Sequence, residues 1–229
     1  MLILAVDTAT SVSSVALATA DRLLGEVKTD LPRTHSQRLL TLVDSLLAET
    51  GTAPGEIDLL AVARGPGSFT GLRIGIATVK GLALALDRPV VGISTLEALA
   101  HGFGSGLVCP VLNARLGQVY GALFRVGETP RPRCLLPEQA IGVPDLLARL
   151  GEYSEPIWFC GDGAGLVIPL ARQVLTQPRP APLHLAGSRA GALADLARHS
   201  ESSPADDLAP LYLRDPQAEV LRRQRRNSE

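Results

Sequence analysis

The chain has 229 residues, 46% of them hydrophobic, which is enough for a folded globular protein with a sizeable core. Aromatic residues make up only 3%, so that core has to be aliphatic. A formal net charge of −1 excludes a global electrostatic pull toward nucleic acid or an anionic membrane.

Residues 2–6 are a short apolar run ending at Asp7, without a basic flank, and predict a strand rather than a signal peptide. Residues 8–13, rich in small hydroxyls, predict a turn. Apolar runs at 14–18 and 23–28 predict two more strands, hence an antiparallel meander. The period then changes. Over residues 34–49, Leu39, Leu42, Val43 and Leu46 follow the i, i+3, i+4, i+7 rule of a helix face, with Gly51 placed as a C-terminal cap. Residues 57–63 predict a strand, 70–86 a helix, and 89–93 a strand. A helix over 94–101 follows, with Ser94 and Glu97 in the capping-box pattern. The order βββαβαβα predicts an α/β protein, its mixed sheet flanked by helices, because strands joined through helices run parallel.

The second half is less regular. Residues 107–112 and 118–124 predict a hairpin across Asn113 to Gly117, and TPRPRCLLP (129–137) reads as a Pro-rich connector. Residues 144–150 and 165–174 predict helices, 156–160 a strand, 178–182 an extended stretch and 188–200 a last helix. There is no repeat at a solenoid period, and no apolar run is long and charge-free enough to span a bilayer.

GPGSFTGLRIG (65–75) looks like a phosphate loop, but it lacks the Gly-Lys-Ser/Thr register of a P-loop. As a dinucleotide fingerprint its third glycine falls one place late. Its amides could still face an anion at a helix start. Equally, its glycines could make a tight strand-to-helix turn capped by Ser68 or Thr70. The following helix is apolar nearly all round, through Leu72, Ile74, Ile76, Val79, Leu82, Leu84 and Leu86. Gly71, Gly75 and Gly81 would permit close backbone approach to it. The helix at 34–49 has the same apolar excess. Either the two helices share a wide internal core, or they share a face that docks another subunit.

The histidines, His35, His101, His184 and His199, form no HxxxH metal pair. Cys109, Cys134 and Cys160 are far apart without a CxxC, as expected of free thiols in a reducing cytoplasm. No GxSxG elbow occurs. Asp7 with Thr8, Thr10, Ser11 and Ser13 could present hydroxyls to phosphate and a carboxylate to metal, or close a hairpin as an Asx turn. GDGAG (161–165) could approach a ligand or start a helix. Arg222, Arg223, Arg225 and Arg226 could touch a phosphate backbone, although residues 215–229 read as a flexible, solvated basic tail.

ILAVDTATSVSSVALA, THSQRLLTLVDSLL and IDLLAVARGPGSFTGLRIGIATVKGLALALDRPVVGISTLEALA resemble the bacterial tRNA threonylcarbamoyladenosine biosynthesis family TsaB. The likeness is dense over residues 2–101 and thinner later, through ARLGQVYGALF and PLYLR (210–214). Where Asn113 stands an aspartate is usual, so no role is carried to that position. The resemblance implies an actin-like ATPase fold of two related lobes. Residues 1–101 would form the first and 102–187 the second, with the last helix returning to the first.

The resemblance also implies a function. It points to a non-catalytic subunit that pairs with and activates the paralogue TsaD, which transfers threonylcarbamoyl to N6 of adenosine 37 in tRNAs reading ANN codons. The ATPase TsaE would join the complex, tRNA would be met only indirectly, and the isolated chain would be a cytoplasmic homodimer without membrane contact. The paralogue's metal-binding histidine pair is matched only by His35, so neither a metal site nor catalysis is implied, and no protease activity is carried over from the older glycoprotease-like label. On this reading the partner contacts are His35, Leu39, Leu42, Val43, Leu46, Ile74, Thr78 and Leu82. A charge at Leu46 or Ile74 is expected to weaken pairing while leaving the lobe folded. Asp7, Thr8, Thr10, Ser11, Gly65, Gly67 and Ser68 become a vestigial phosphate site, with ATP bound weakly or not at all. The rival expectation is a small-molecule kinase that binds ATP through residues 7–13 and 161–165.

Overall fold

The structure, a computed structural model, describes residues 1–30 and 38–214. The first sheet contains β1 (Ile3–Asp7), β2 (Val12–Ala18), β3 (Leu23–Asp30), β4 (Leu59–Gly65) and β5 (Val90–Ser94), in the order β3-β2-β1-β4-β5. The β1/β2 and β2/β3 pairs are antiparallel, and β1/β4 and β4/β5 are parallel. Side-chain alternation sorts the strands into two faces. Leu4, Val6, Val15, Leu17, Leu60 and Val62 meet α1 (Leu39–Glu49) and α2 (Phe69–Leu86). Ile3, Ala5, Ala16, Ala61 and Ala63 meet α3 (Thr95–His101) and the alanines of α6 (Ala190–Ala197). Small residues on both sides let α6 lie close to the sheet.

The second sheet contains β6 (Gly106–Asn113), β7 (Gln118–Val126), β8 (Arg133–Gly142), β9 (Ile157–Cys160) and β10 (Pro178–Pro180), in the order β10-β9-β6-β7-β8. Its β6/β7 and β7/β8 pairs are antiparallel, while β6/β9 and β9/β10 are parallel. Read from the other edge, this is the first sheet's order with the same strand senses. The two lobes are therefore repeats of one topology, as the actin-like fold requires. One face of the second sheet packs on α4 (Val143–Leu150) and α5 (Ala164–Val174). The other packs on α3 through Leu96, Leu99 and Ala100, so α3 lies between the lobes.

The structure corrects the sequence reading in four places. TPRPRCLLP is not simply a connector, because β8 begins at Arg133 as an edge strand. Pro137 is accommodated there at a register shift, where the missing N–H costs no ladder bond. The capping box of α3 is half made. Ser94 Oγ accepts from the Leu96 and Glu97 amides, but the Glu97 carboxylate turns away to the Arg131 guanidinium at 2.9 and 2.7 Å. The last helix is shorter than 188–200. Finally, α2 is long and apolar enough to cross a membrane by length and composition, contrary to expectation, yet it buries Leu72, Ile76, Val79 and Ala83 within the protein.

The start of α6 is held from a distant part of the chain. The Ala190 amide donates to Ser14 Oγ at 3.1 Å and the Gly191 amide to Glu26 Oε1 at 2.9 Å. Ser14 Oγ in turn donates to Glu26 Oε1 at 3.2 Å. Strands β2 and β3 thus supply the cap that the helix lacks locally.

Candidate docking face and inter-lobe crevice

In open α/β sheets ligands sit at the carboxyl ends of the strands, which here means the Asp7–Thr10 turn and the Gly65–Ser68 loop. Asp7 and Thr8 are each only 1% exposed. Asp7 Oδ1 accepts from the Ala9 amide at 2.9 Å, the Asx turn that one reading of this stretch expected. Thr8 Oγ1 donates to the Gly71 carbonyl at 2.7 Å, and the Ser68 amide donates to the Ala9 carbonyl at 2.7 Å. A Cβ at Gly67 would collide with the Ala9 carbonyl, one at Gly71 with the Thr8 carbonyl, and one at Gly75 with the Thr8 hydroxyl. The glycine motif is therefore a close-packing seam between the loop, the first turns of α2 and the β1–β2 turn.

Ser68 is the N-cap of α2 and accepts from the Gly71 amide at 3.2 Å. Thr10 Oγ1 accepts from the Val12 amide, and Ser11 reaches Asp30 at the end of β3. Of the expected phosphate residues, the structure brings together Asp7, Thr8, Gly67 and Ser68, and turns Ser11 elsewhere. The same packing recurs in the second lobe, where Gly161 and Gly163 of GDGAG lie against Val111 of β6. Asp162 beside them accepts from the Asn113 amide at 2.8 Å, and burial holds its carboxyl above the ordinary value.

Gly65, at φ +121°, is covered by residues near the C-terminus. The Leu211 amide donates to the Arg64 carbonyl at 2.6 Å. Tyr212 stacks on Phe69 with ring centroids 5.1 Å apart, and its hydroxyl accepts from Arg73 Nε at 3.3 Å. Arg214 Nη1 donates to the Ala114 carbonyl at 2.8 Å, across in the second lobe. Sequence reasoning noted PLYLR only as a family likeness, because nothing local tells where such a segment lands. A second contact between the lobes pairs Ser94 Oγ with the Glu138 carboxylate of β8, which burial holds above its ordinary pKa.

On the helices, burial reassigns several expected contact residues. Leu39, Val43 and Leu46 are 1, 2 and 3% exposed and belong to the lobe's own core, so they do not form an outer face. Leu42, Ile74 and Leu82 are half-buried and pack on the same cluster, and Thr78 is half-buried beside them. A charge at Leu46 or Ile74 would thus strike the core as well as any interface. The open surface consists instead of Leu40 at 53% exposure, Leu84 at 84%, and Ala77, Gly81 and Ala85 along α2. His35, the expected helix start at 34–38 and the basic tail at 215–229 lie outside the described residues, wholly or in part.

Among the described residues no three His, Cys, Asp or Glu side chains stand together as a metal site. Cys109 and Cys160 are buried thiols, and burial pushes Cys160 up to about 12.

The model of the family described as "TsaD: tRNA N6-adenosine threonylcarbamoyltransferase" matches residues 22–221. The tRNA threonylcarbamoyladenosine biosynthesis protein TsaB of Bacillus subtilis is 35% identical over 223 residues, covering 96% of this chain and 97% of that protein. TsaB of Escherichia coli is 43% identical over 132 residues, or 56% and 57% of the two chains. The structure of YeaZ from Pseudomonas aeruginosa superposes with a TM-score of 0.77 at 32% identity, over 93% of this chain and 99% of that one. A likeness running nearly end to end in both sequence and structure, on a duplicated actin-like lobe, leaves one assignment: the chain belongs to the TsaB family of tRNA threonylcarbamoyladenosine biosynthesis proteins.

Proposed function

We propose that this chain is the partner and activating subunit of a TsaD-type tRNA N6-adenosine threonylcarbamoyltransferase, and that it docks through the outer stripe of α2 and the adjoining side of α1. One observation carries the reading. Helix α2 buries one side on its own sheet and leaves Ala77, Gly81, Leu84 and Ala85 in solvent. Small residues flanking one fully offered leucine let a second helix approach closely and cover apolar area. Gly81 has open space above it, so no described residue already covers this part of the stripe.

The chemical step belongs to the transferase on this reading, and no residue of this chain acts as its acid, base or metal ligand. The engaged amides of the glycine loop support weak or absent ATP binding in the crevice. In isolation the same stripe pairs two copies. A TsaE-type ATPase and tRNA meet the assembled complex in the cytoplasm.

The test uses Ala77→Glu and Leu84→Glu, both exposed, in place of a charge at buried Leu46. Each variant should keep its stability within about 0.5 kcal/mol, yet lose co-purification with the transferase and most threonylcarbamoyladenosine formation in a reconstituted assay. Assembly and activity at the level of the unsubstituted chain in both variants would place the interface elsewhere. Calorimetry with MgATP separates the kinase reading, which requires micromolar binding and turnover.

A further inference from the structure

Residues 203–214 run back along the first lobe and then across to the second. Ser203 exchanges two backbone bonds with Val90 of β5, each at 2.9 Å. Leu208 is buried in the first lobe's core, against Gly92. The segment then crosses the carboxyl ends of β5 and β4, where the Leu211 carbonyl occupies the place that a Gly65 side chain would need. Tyr212 closes onto Phe69 and Arg73 in the first turns of α2, and Arg73 lies 4.0 Å over the Phe69 ring. Arg214 finally reaches the turn between β6 and β7. That turn is the second lobe's counterpart of the β1–β2 turn, because each joins the first two strands of the repeated topology.

From this geometry we infer that residues 203–214 are an intramolecular strap, seated in the inter-lobe crevice where a nucleoside phosphate would otherwise lie, and that it holds the two lobes at a fixed closure. In a two-lobed fold a ligand between facing turns is what bridges the halves. Here the bridge is covalently part of the protein. Its first-lobe anchors are apolar burial, main-chain bonds and an aromatic stack. Its second-lobe anchor is a guanidinium–carbonyl bond, stronger than a neutral pair because the donor is charged. Among the described residues the other lobe-to-lobe polar ties run from Ser94 to Glu138, from Arg131 to Glu97 and Ser200, and from Cys160 Sγ to the Leu99 carbonyl, and none of them joins the crevice turns. This inference needs no partner subunit and stands or falls apart from the docking face.

The test is made on the full chain with Tyr212→Ala/Arg214→Ala, and with Arg214→Lys as the conservative variant. Hydrogen exchange is read at the 114–118 turn and in β1 and β4, with and without MgATP. A second readout is the spin–spin distance between labels at exposed Cys134 in the second lobe and an introduced Ala20→Cys in the exposed β2–β3 turn of the first, away from the docking stripe. The double variant should speed exchange at the turn about tenfold, as loss of one charge-assisted bond implies. It should also broaden the inter-lobe distance distribution and leave β1 and β4 unchanged, while Arg214→Lys keeps part of the protection. An unchanged distance distribution would overturn the strap, whatever the turn does. Exchange rising equally in β1 and β4 would also overturn it, since the segment would then only stabilise the first lobe.

Discussion

Two glycines in α2 give the sharpest test of what the glycine motif is for. Gly→Ala in a helix interior favours the helix by about 0.8–1 kcal/mol, because alanine loses less backbone entropy. At Gly81 nothing lies within 4 Å of the new methyl, so Gly81→Ala should stabilise by about 0.5–1 kcal/mol. At Gly71 the methyl meets the Thr8 carbonyl, which is main chain and cannot swing away. Overpacking of that kind costs about 1–3 kcal/mol, so Gly71→Ala should come out roughly 1–2 kcal/mol less stable after the propensity gain is offset. For a chain of this size each kcal/mol moves the melting midpoint by about 2–4 °C. Thermal and urea unfolding with unchanged m-values would read the two shifts in opposite directions. If both substitutions moved the midpoint the same way, the seam would not be a packing contact. If Gly71→Ala instead left stability intact and altered only nucleotide binding, the phosphate reading would return.

Three further outcomes follow from the polar contacts. Glu26→Ala removes the carboxylate that receives the Gly191 amide at the start of α6, and should cost about 1 kcal/mol, while Glu26→Gln keeps an acceptor oxygen and most of the stability in urea titration. Burial raises the Glu138 pKa in the folded state, so the native protein holds more protons than the unfolded chain between the ordinary carboxylate value and the raised one. Stability should therefore fall as pH rises through that interval, and Glu138→Gln should flatten this part of the pH profile. Thiol titration of the native protein should find only Cys134, and slowly, since burial, Glu138 and Glu97 raise its pKa; Cys109 and Cys160 should react only in denaturant.

The first lobe was legible because its signals are local. Short apolar runs mark β1 and β2, Ser68, one of two candidate caps, marks the start of α2, and Ser94 the start of α3. The same periodicity that revealed α1 could not orient it. Leu39, Val43 and Leu46 are apolar whether they face a sheet or a partner, and only the sheet's position decides. Strand β8 escaped because Pro137, its charges and the two prolines just before it look like a linker, and an edge strand tolerates Pro137 and the charges. In the crevice, the glycines were visible but their purpose was not, since a loop that cradles phosphate and one that packs on Thr8 and Ala9 call for the same residues. The strap and the cap of α6 were out of reach. Arg214 meets Ala114 and Ala190 meets Ser14 across long stretches of chain, and no window of sequence contains both partners.

The position of α6 bears on how the protein emerges from the ribosome. Its alanines cover a sheet face made entirely before residue 95, yet they are synthesised only after the whole second lobe. Until then the nascent N-terminal half carries an uncovered aliphatic surface, and the second lobe, whose strands and helices are contiguous, can mature first, inverting the usual vectorial order. Ribosomal stalling or proteolytic loss beyond residue 187 would consequently damage the beginning of the protein more than its middle, and chaperone demand should peak just before the last helix clears the exit tunnel.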